Sequence, residues 1–208
     1  MPEALSVYSR IKRLGDVAGA ALLLVLSLPL LLLLALLIMA ESGRPVLFRQ
    51  TRIGRGGAPF VILKFRTLRM GAHKPGNPRS RVTRVGGVLR RWGLDELPQL
   101  WNVLRGEMSL VGPRPTLPRQ VAAYGAFERR RLAVRPGLTG WAQIHGRNTL
   151  PWPERIRLDI WYIDHLSFWL DARILLRTPK ILWTGDGLYG AGGQNPGFPN
   201  KRTSPAES

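Results

Sequence analysis

Asp95 and Glu96 are adjacent carboxylates in Leu94-Asp95-Glu96-Leu97-Pro98-Gln99-Leu100-Trp101-Asn102-Val103-Leu104, within a chain of formal net charge +18. Carboxylates in so cationic a setting suit two chemistries, nucleophilic attack by an ionised oxygen and coordination of a hard cation. Leu97, Leu100, Trp101 and Leu104 recur at i, i+3, i+4 and i+7, which predicts one buried helical face starting near Asp95 and closing at Gly106. Pro98 is acceptable in a first turn, and Gln99 lies three residues beyond Glu96, as in a capping box. Free backbone N–H groups at a helix mouth favour an ionised carboxylate, so Asp95 or Glu96 is a candidate nucleophile or metal ligand. The same pair is also an ordinary helix cap, so its surroundings must decide.

Those surroundings are basic. Arg90 and Arg91 precede the pair, and Gly112-Pro113-Arg114-Pro115 follows it. Two prolines fix the backbone around Arg114, whose planar fork matches phosphate oxygens, so the segment reads as a phosphate clamp or as a rigid turn bearing a solvated arginine. Upstream, Val46-Leu47-Phe48 and Phe60 to Thr67 read as strands separated by Gly54, Gly56 and Gly57. If the second is extended, Lys64 and Arg66 share one face, either as further phosphate contacts or as a solvated edge. Val85, Val88, Leu89 and Trp92 predict a helix leading into the carboxylates.

The elements that position these groups follow from composition. The 208 residues suit one small domain plus an appendage, and +18 implies an anionic partner: nucleic acid, anionic lipid or a phosphorylated substrate. Absence of cysteine excludes disulfides and thiolate chemistry. His73, His145 and His165 are scattered, which argues against zinc. Residues 1–16 form a basic amphipathic lead with Arg10, Lys12 and Arg13. Val17 to Ala40 carries no charge and, as a straight helix, would be about 36 Å long, enough for the hydrocarbon core. Pro29 and Ser27 fall mid-run, and arginines flank both ends, so a helix that bends there and returns to the same face satisfies the charge rule where a span does not.

Beyond Pro118 the pattern predicts a helix from Arg119 to Val134, then the turn Arg135-Pro136-Gly137, and His145-Gly146-Arg147-Asn148 adds cationic and amide donors. An aromatic, basic helical region with Arg155, Arg157, Trp161, Tyr162, Phe168 and Trp169 suits either an interfacial helix or core packing, punctuated at Thr178-Pro179. Gly71 to Ser80 reads as a loop. Residues 185–208 show no periodicity and read as loop or disorder.

In Phe48-Arg49-Gln50-Thr51-Arg52-Ile53-Gly54, Lys64-Phe65-Arg66-Thr67, the Leu94 to Val103 run, Met108-Ser109-Leu110-Val111-Gly112-Pro113-Arg114-Pro115 and Arg135-Pro136-Gly137-Leu138-Thr139-Gly140-Trp141-Ala142-Gln143, the chain resembles the bacterial sugar transferases, or monotopic phosphoglycosyl transferases. The resemblance runs from about Lys12 to Thr178. It implies an α+β fold, with a small, mostly helical catalytic domain (41–184) carrying short strands. A re-entrant, helix-break-helix membrane helix (17–40) would hold it on the cytoplasmic face of the bacterial inner membrane. It also implies transfer of a sugar 1-phosphate from a UDP-sugar to undecaprenyl phosphate with magnesium (Mg2+), at the start of surface polysaccharide or glycoconjugate synthesis. By matching motif, Asp95 is the nucleophile and metal contact, Glu96 its dyad partner, and Lys64, Arg66, Arg90 and Arg114 contact phosphate or nucleotide. The family's usual Ser-Pro break is interrupted here by Leu28, Gly93 stands where serine is common, and Leu68 where methionine is common. The several amino-terminal spans of longer family members are not seen, as in the short form.

A nucleic-acid-binding protein on a single membrane span would share the charge, and a scaffold for polysaccharide assembly would share the anchor. No nucleic-acid motif is present, and nucleic acid is not an expected partner. The sugar stays open among galactose, glucose and N-acetylated sugars, and a homo-oligomer stays open too.

Overall fold

The computed structural model describes residues 3–70 and 81–185. The expected Gly71 to Ser80 loop, His73 and nearly all of the 185–208 tail therefore lie outside the described residues. The architecture is mostly helical with a few short strands, and one long apolar helix at the amino terminus fits a membrane anchor.

That helix, α1 (Glu3–Ser42), runs through Pro29 without interruption. The expected helix-break-helix is thus one helix with a proline inside it. Ser27 Oγ donates to Leu24 O at 3.3 Å, a local bond of the kind that accompanies bends. Leu22, Leu23, Val25, Leu26, Leu28 and Leu32 are exposed around this point. Both ends of α1 are fastened to the globular part. Near its start, Lys12 Nζ pairs with Asp171 at 2.6 Å, Arg13 donates to the carbonyls of Val103 and Leu104, and Asp16 accepts from Leu110 N at 3.0 Å. At its end, Glu41 accepts from Arg84 N and Val85 N, and Leu34 and Ile38 pack on Phe65 and Leu89.

Strands β1 (Leu47–Ile53) and β2 (Pro59–Phe65) form an antiparallel hairpin with Phe48 opposite Lys64. Helix α2 (Arg84–Trp92) is capped by Thr83, which accepts from Gly86 N, and ends at Gly93 in the left-handed region (φ 68°). Any side chain at Gly93 would be strained there, which accounts for glycine where the resemblance expects serine. Helix α3 (Gln99–Leu104) follows. A small parallel pair, β3 (Ser109–Val111) with β4 (Gly137–Thr139), packs with it, and such three-residue strands carry no periodicity in the sequence.

The helix expected over Arg119 to Val134 is broken instead. It divides into α4 (Pro118–Val121), α5 (Ala126–Arg129) and a 3-10 turn over Arg130–Ala133, with Gly125 extended between α4 and α5. Helices α6 (Trp141–Ile144), α7 (Trp152–Asp164) and α8 (Phe168–Thr184) complete the chain, and α8 passes through Pro179 without stopping. Of the aromatic region, α7 supplies core, burying Ile156, Ile160 and Tyr162. Exposed aromatics lie on both helices, Trp161 on α7 and Phe168, Trp169 and Trp183 on α8, where Leu176 is exposed beside them, as interfacial side chains would be. The main core gathers Ala20, Phe60, Ile62, Leu100, Val103, Met108 and Tyr162 among others, so α1 is part of it.

Candidate active site

Asp95 and Glu96 stand in a 3-10 turn (Leu94–Glu96) between α2 and α3. The expected capping box does not form. Gln99 is 1% exposed beneath the turn, and α3 begins at Gln99 without a side-chain cap. The chain needs this turn because Gly93 reverses it after α2, and Pro98 has no N–H to continue a helix back through the carboxylates.

The two carboxylates differ. Glu96 accepts from Lys64 Nζ at 2.6 Å and from Arg114 at 2.6 and 3.4 Å, so β2 and the Pro113–Pro115 loop meet on one carboxylate. Burial alone would raise its pKa, but Arg114 and Lys64 outweigh that and hold it well below the usual carboxylate range. Asp95 makes no side-chain hydrogen bond or ion pair among the described residues. Burial, and then the charge of Glu96, push its pKa up against the pull of Lys64, Arg114 and Arg90. The expectation that helix N–H groups favour the ionised form of Asp95 or Glu96 is thereby corrected: both lie outside α3, and it is Arg114 and Lys64 that favour ionised Glu96, while burial and Glu96 oppose ionisation of Asp95. Burial lowers the pKa of Lys64, with Glu96 opposing.

Of the remaining cations, Arg90 donates to Thr67 Oγ1 at 2.8 Å and lies within electrostatic reach of Asp95. Arg66 is placed elsewhere. It follows the last residue of β2, is 6% exposed, and donates to the carbonyls of Ser42, Gly43 and Arg44. Those carbonyls end α1 and lack partners within it, so Arg66 serves as its carboxy-terminal cap and is not brought to the carboxylates. Arg52, whose Nε is buried without a partner, lies within electrostatic reach of Glu96 and Arg114. Burial, then Arg114, lower its pKa to about 10. Arg52 lies in the Phe48 to Gly54 motif, and its alternation with Gln50 along β1 is the sequence signal for a place near the site.

A cation site here has two carboxylates to draw on, since no group of three or more acidic or histidine side chains occurs among the described residues. Glu96 is taken by Lys64 and Arg114, which leaves Asp95 as the available ligand. One carboxylate completed by substrate phosphate and water is a set that suits magnesium. Lys64, Arg114 and Arg90 lie within electrostatic reach of Asp95 and would favour an anion beside any cation held there.

The model of the bacterial sugar transferases matches residues 7–185. The chain belongs to that family. As a bacterial sugar transferase it is an enzyme, and its relatives differ in length. It is 41% identical over 181 residues to an uncharacterised sugar transferase, EpsL, of Bacillus subtilis (strain 168), covering 86% of this chain and 90% of that one. It is 49% identical over 191 residues to a UDP-glucose:undecaprenyl-phosphate glucose-1-phosphate transferase of Caulobacter vibrioides, covering 86% and 72%. With an N-acetylgalactosamine phosphotransferase of Aeromonas hydrophila that acts on undecaprenyl phosphate it shares 42% over 192 residues, 87% of this chain but 45% of that protein.

Proposed function

We propose that this bacterial sugar transferase moves a sugar 1-phosphate from a UDP-sugar to undecaprenyl phosphate, releasing UMP. The observation that carries the reading is the asymmetry of the dyad. Glu96 is clamped between Lys64 and Arg114, while Asp95 keeps a carboxylate with no partner among the described residues. Asp95 attacks the phosphorus that bears the sugar, the bond to the UMP oxygen breaks, and a phosphosugar remains on Asp95. An oxygen of the lipid phosphate then attacks the same phosphorus and frees the carboxylate. Arg114 and Lys64 draw charge off the diphosphate, and Arg90 faces Asp95 as the attack proceeds. Bound magnesium would neutralise phosphate charge and keep Asp95 ionised despite its burial. The relatives carry names for glucose, galactose and N-acetylgalactosamine transfer, and the sugar is left to experiment.

The attachment of both ends of α1 supports a re-entrant anchor. A helix fastened through Lys12, Arg13 and Asp16 at one end, and through Glu41 and Arg66 at the other, cannot put its ends on opposite faces of a bilayer unless the domain crosses too. The exposed leucines around Pro29 then enter one leaflet, and the catalytic domain faces the cytoplasm, where nucleotide sugars are found.

The test is UMP release from a panel of UDP-sugars with and without magnesium, first without lipid acceptor. A magnesium-dependent burst of no more than one UMP per enzyme, with phosphosugar trapped on Asp95, is the expected result. UMP release only when lipid phosphate is present, with nothing to trap, would favour direct displacement.

A further inference from the structure

The turn after α6 holds an arginine that the carboxylates and their clamp do not use. Among the described residues Arg147 is the only non-glycine residue with positive φ, at 51°. Long side chains rarely adopt that region, and such outliers persist where the surrounding structure enforces them. Its Nη1 is buried without a hydrogen-bond partner, and it forms no ion pair among the described residues. A buried guanidinium donor left open in this way is costly unless something fills it.

Its position follows from three glycines. Gly112, two residues before Arg114, donates to Thr139 O at 2.9 Å, and a Cβ on Gly140 would lie 2.2 Å from Gly112 O. A Cβ on Gly137 would meet Gly112 N at 2.0 Å. The start of α6 is therefore pressed against the loop that presents Arg114. One turn further on, Arg147 N donates to Ala142 O at 3.2 Å and closes the segment back on α6. This brings the guanidinium within electrostatic reach of Arg114, Glu96 and Asp95. Burial, and then Arg114, lower its pKa, as befits one cation held beside another without a counter-ion of its own.

We propose that Arg147 is a further substrate contact, its guanidinium donating to the diphosphate of the nucleotide sugar from the side opposite in sequence to Lys64 and Arg90. The inference rests on the reading that the substrate is a nucleotide sugar. The chemistry favours phosphate, because Arg114 is already shared with Glu96, so a second fork is needed to hold the non-reacting oxygens of a diphosphate. Left-handed backbone at Arg147 aims the side chain before substrate arrives, which lowers the ordering cost of binding.

Two variants of the full chain, in detergent or nanodiscs, separate this role from a structural one. Arg147→Gly removes the fork and suits the left-handed backbone; Arg147→Lys keeps charge without the fork. The probes are inorganic pyrophosphate with magnesium, read as a thermal shift, and KM against kcat for the UDP-sugar the wild type uses. The expected result is that Arg147→Gly melts no lower than wild type, loses the pyrophosphate shift and raises KM at least tenfold. Arg147→Lys should retain part of both. A normal shift and normal KM in both variants would overturn the proposal and assign Nη1 to an ordered water. A lower melting temperature in both, with the shift intact, would make Arg147 structural. If the wild type releases UMP from no UDP-sugar while the pyrophosphate shift still depends on Arg147, the proposed function fails and the diphosphate contact stands.

Discussion

Glu96→Gln removes the charge that Lys64 and Arg114 share. The side chains of Glu96 and Lys64 are 18% and 16% exposed, and that of Arg114 is 46% exposed. Breaking a fully buried pair costs about 3–5 kcal/mol, because one charge is left unpaired. The exposed Arg114 arm adds no more than about 1 kcal/mol, being screened by water. Because Lys64 is not fully buried and glutamine still accepts a hydrogen bond, the expected loss is about 2 kcal/mol, or about 4–8 °C in melting temperature for a chain of this size. Melting at a fixed scan rate in one detergent provides the assay. Lys64→Met together with Glu96→Gln should recover at least half the loss, since no unpaired ammonium then remains. Glu96 has its folded pKa below its ordinary value of 4.5, so its stabilisation is full above that pH and is lost as pH falls through the folded pKa. The gap between wild type and Glu96→Gln should therefore narrow on acidification below about 4.5. A variant melting within a degree of wild type at pH 7, or a double variant whose losses simply add, would refute the clamp.

Asp95→Asn should abolish UMP release yet melt no lower than wild type. Its folded pKa is raised, so its ionised form costs stability once pH has risen through its titration, and removing that charge relieves the cost; a lower melting temperature would mark Asp95 as structural. Arg66→Met should lower stability by about 2–3 kcal/mol, by stripping donors from the carbonyls that end α1, while KM for the UDP-sugar stays put. A selective rise in KM would restore Arg66 to phosphate binding. Ser6→Cys, in a chain with no native cysteine, should react with an impermeant thiol reagent only after cells are opened; reaction in intact cells would establish a spanning helix.

What the sequence disclosed depended on range. Strong local signals survived: the apolar run of α1, the periodicity of α2 and the two runs that pair as β1 and β2. The start of α3 was misplaced by four residues, because a capping pattern and a 3-10 turn look alike until burial is known, and Gln99 turned inward. Arg66 was misread for a related reason. Alternation along β2 puts Arg66 on the face of Lys64, but the strand stops at Phe65 and the end of a helix 24 positions earlier claims the guanidinium. The opposite pKa shifts of Asp95 and Glu96 were also hidden, since they come from burial and from Lys64 and Arg114, 32 and 18 positions away from Glu96. Pro179 inside α8 and Gly125 between α4 and α5 show the same limit, with packing overriding one breaker and obeying the other.

Because α1 supplies Ala20 to one hydrophobic cluster and Leu34 and Ile38 to another, the anchor is not a detachable tether. Cutting the chain after residue 42 to obtain a water-soluble catalytic fragment would uncover Leu110 and Val103 on one side and Phe65 and Leu89 on the other. It would also leave Asp171 without Lys12, and Arg66 with no helix end to cap. Such a fragment would expose two raw apolar faces and aggregate, and grafting a foreign transmembrane segment in place of α1 would restore the tether without restoring either cluster. Selection for a different membrane thickness or lipid can therefore act freely only on the leucines near Pro29, between the two attachments.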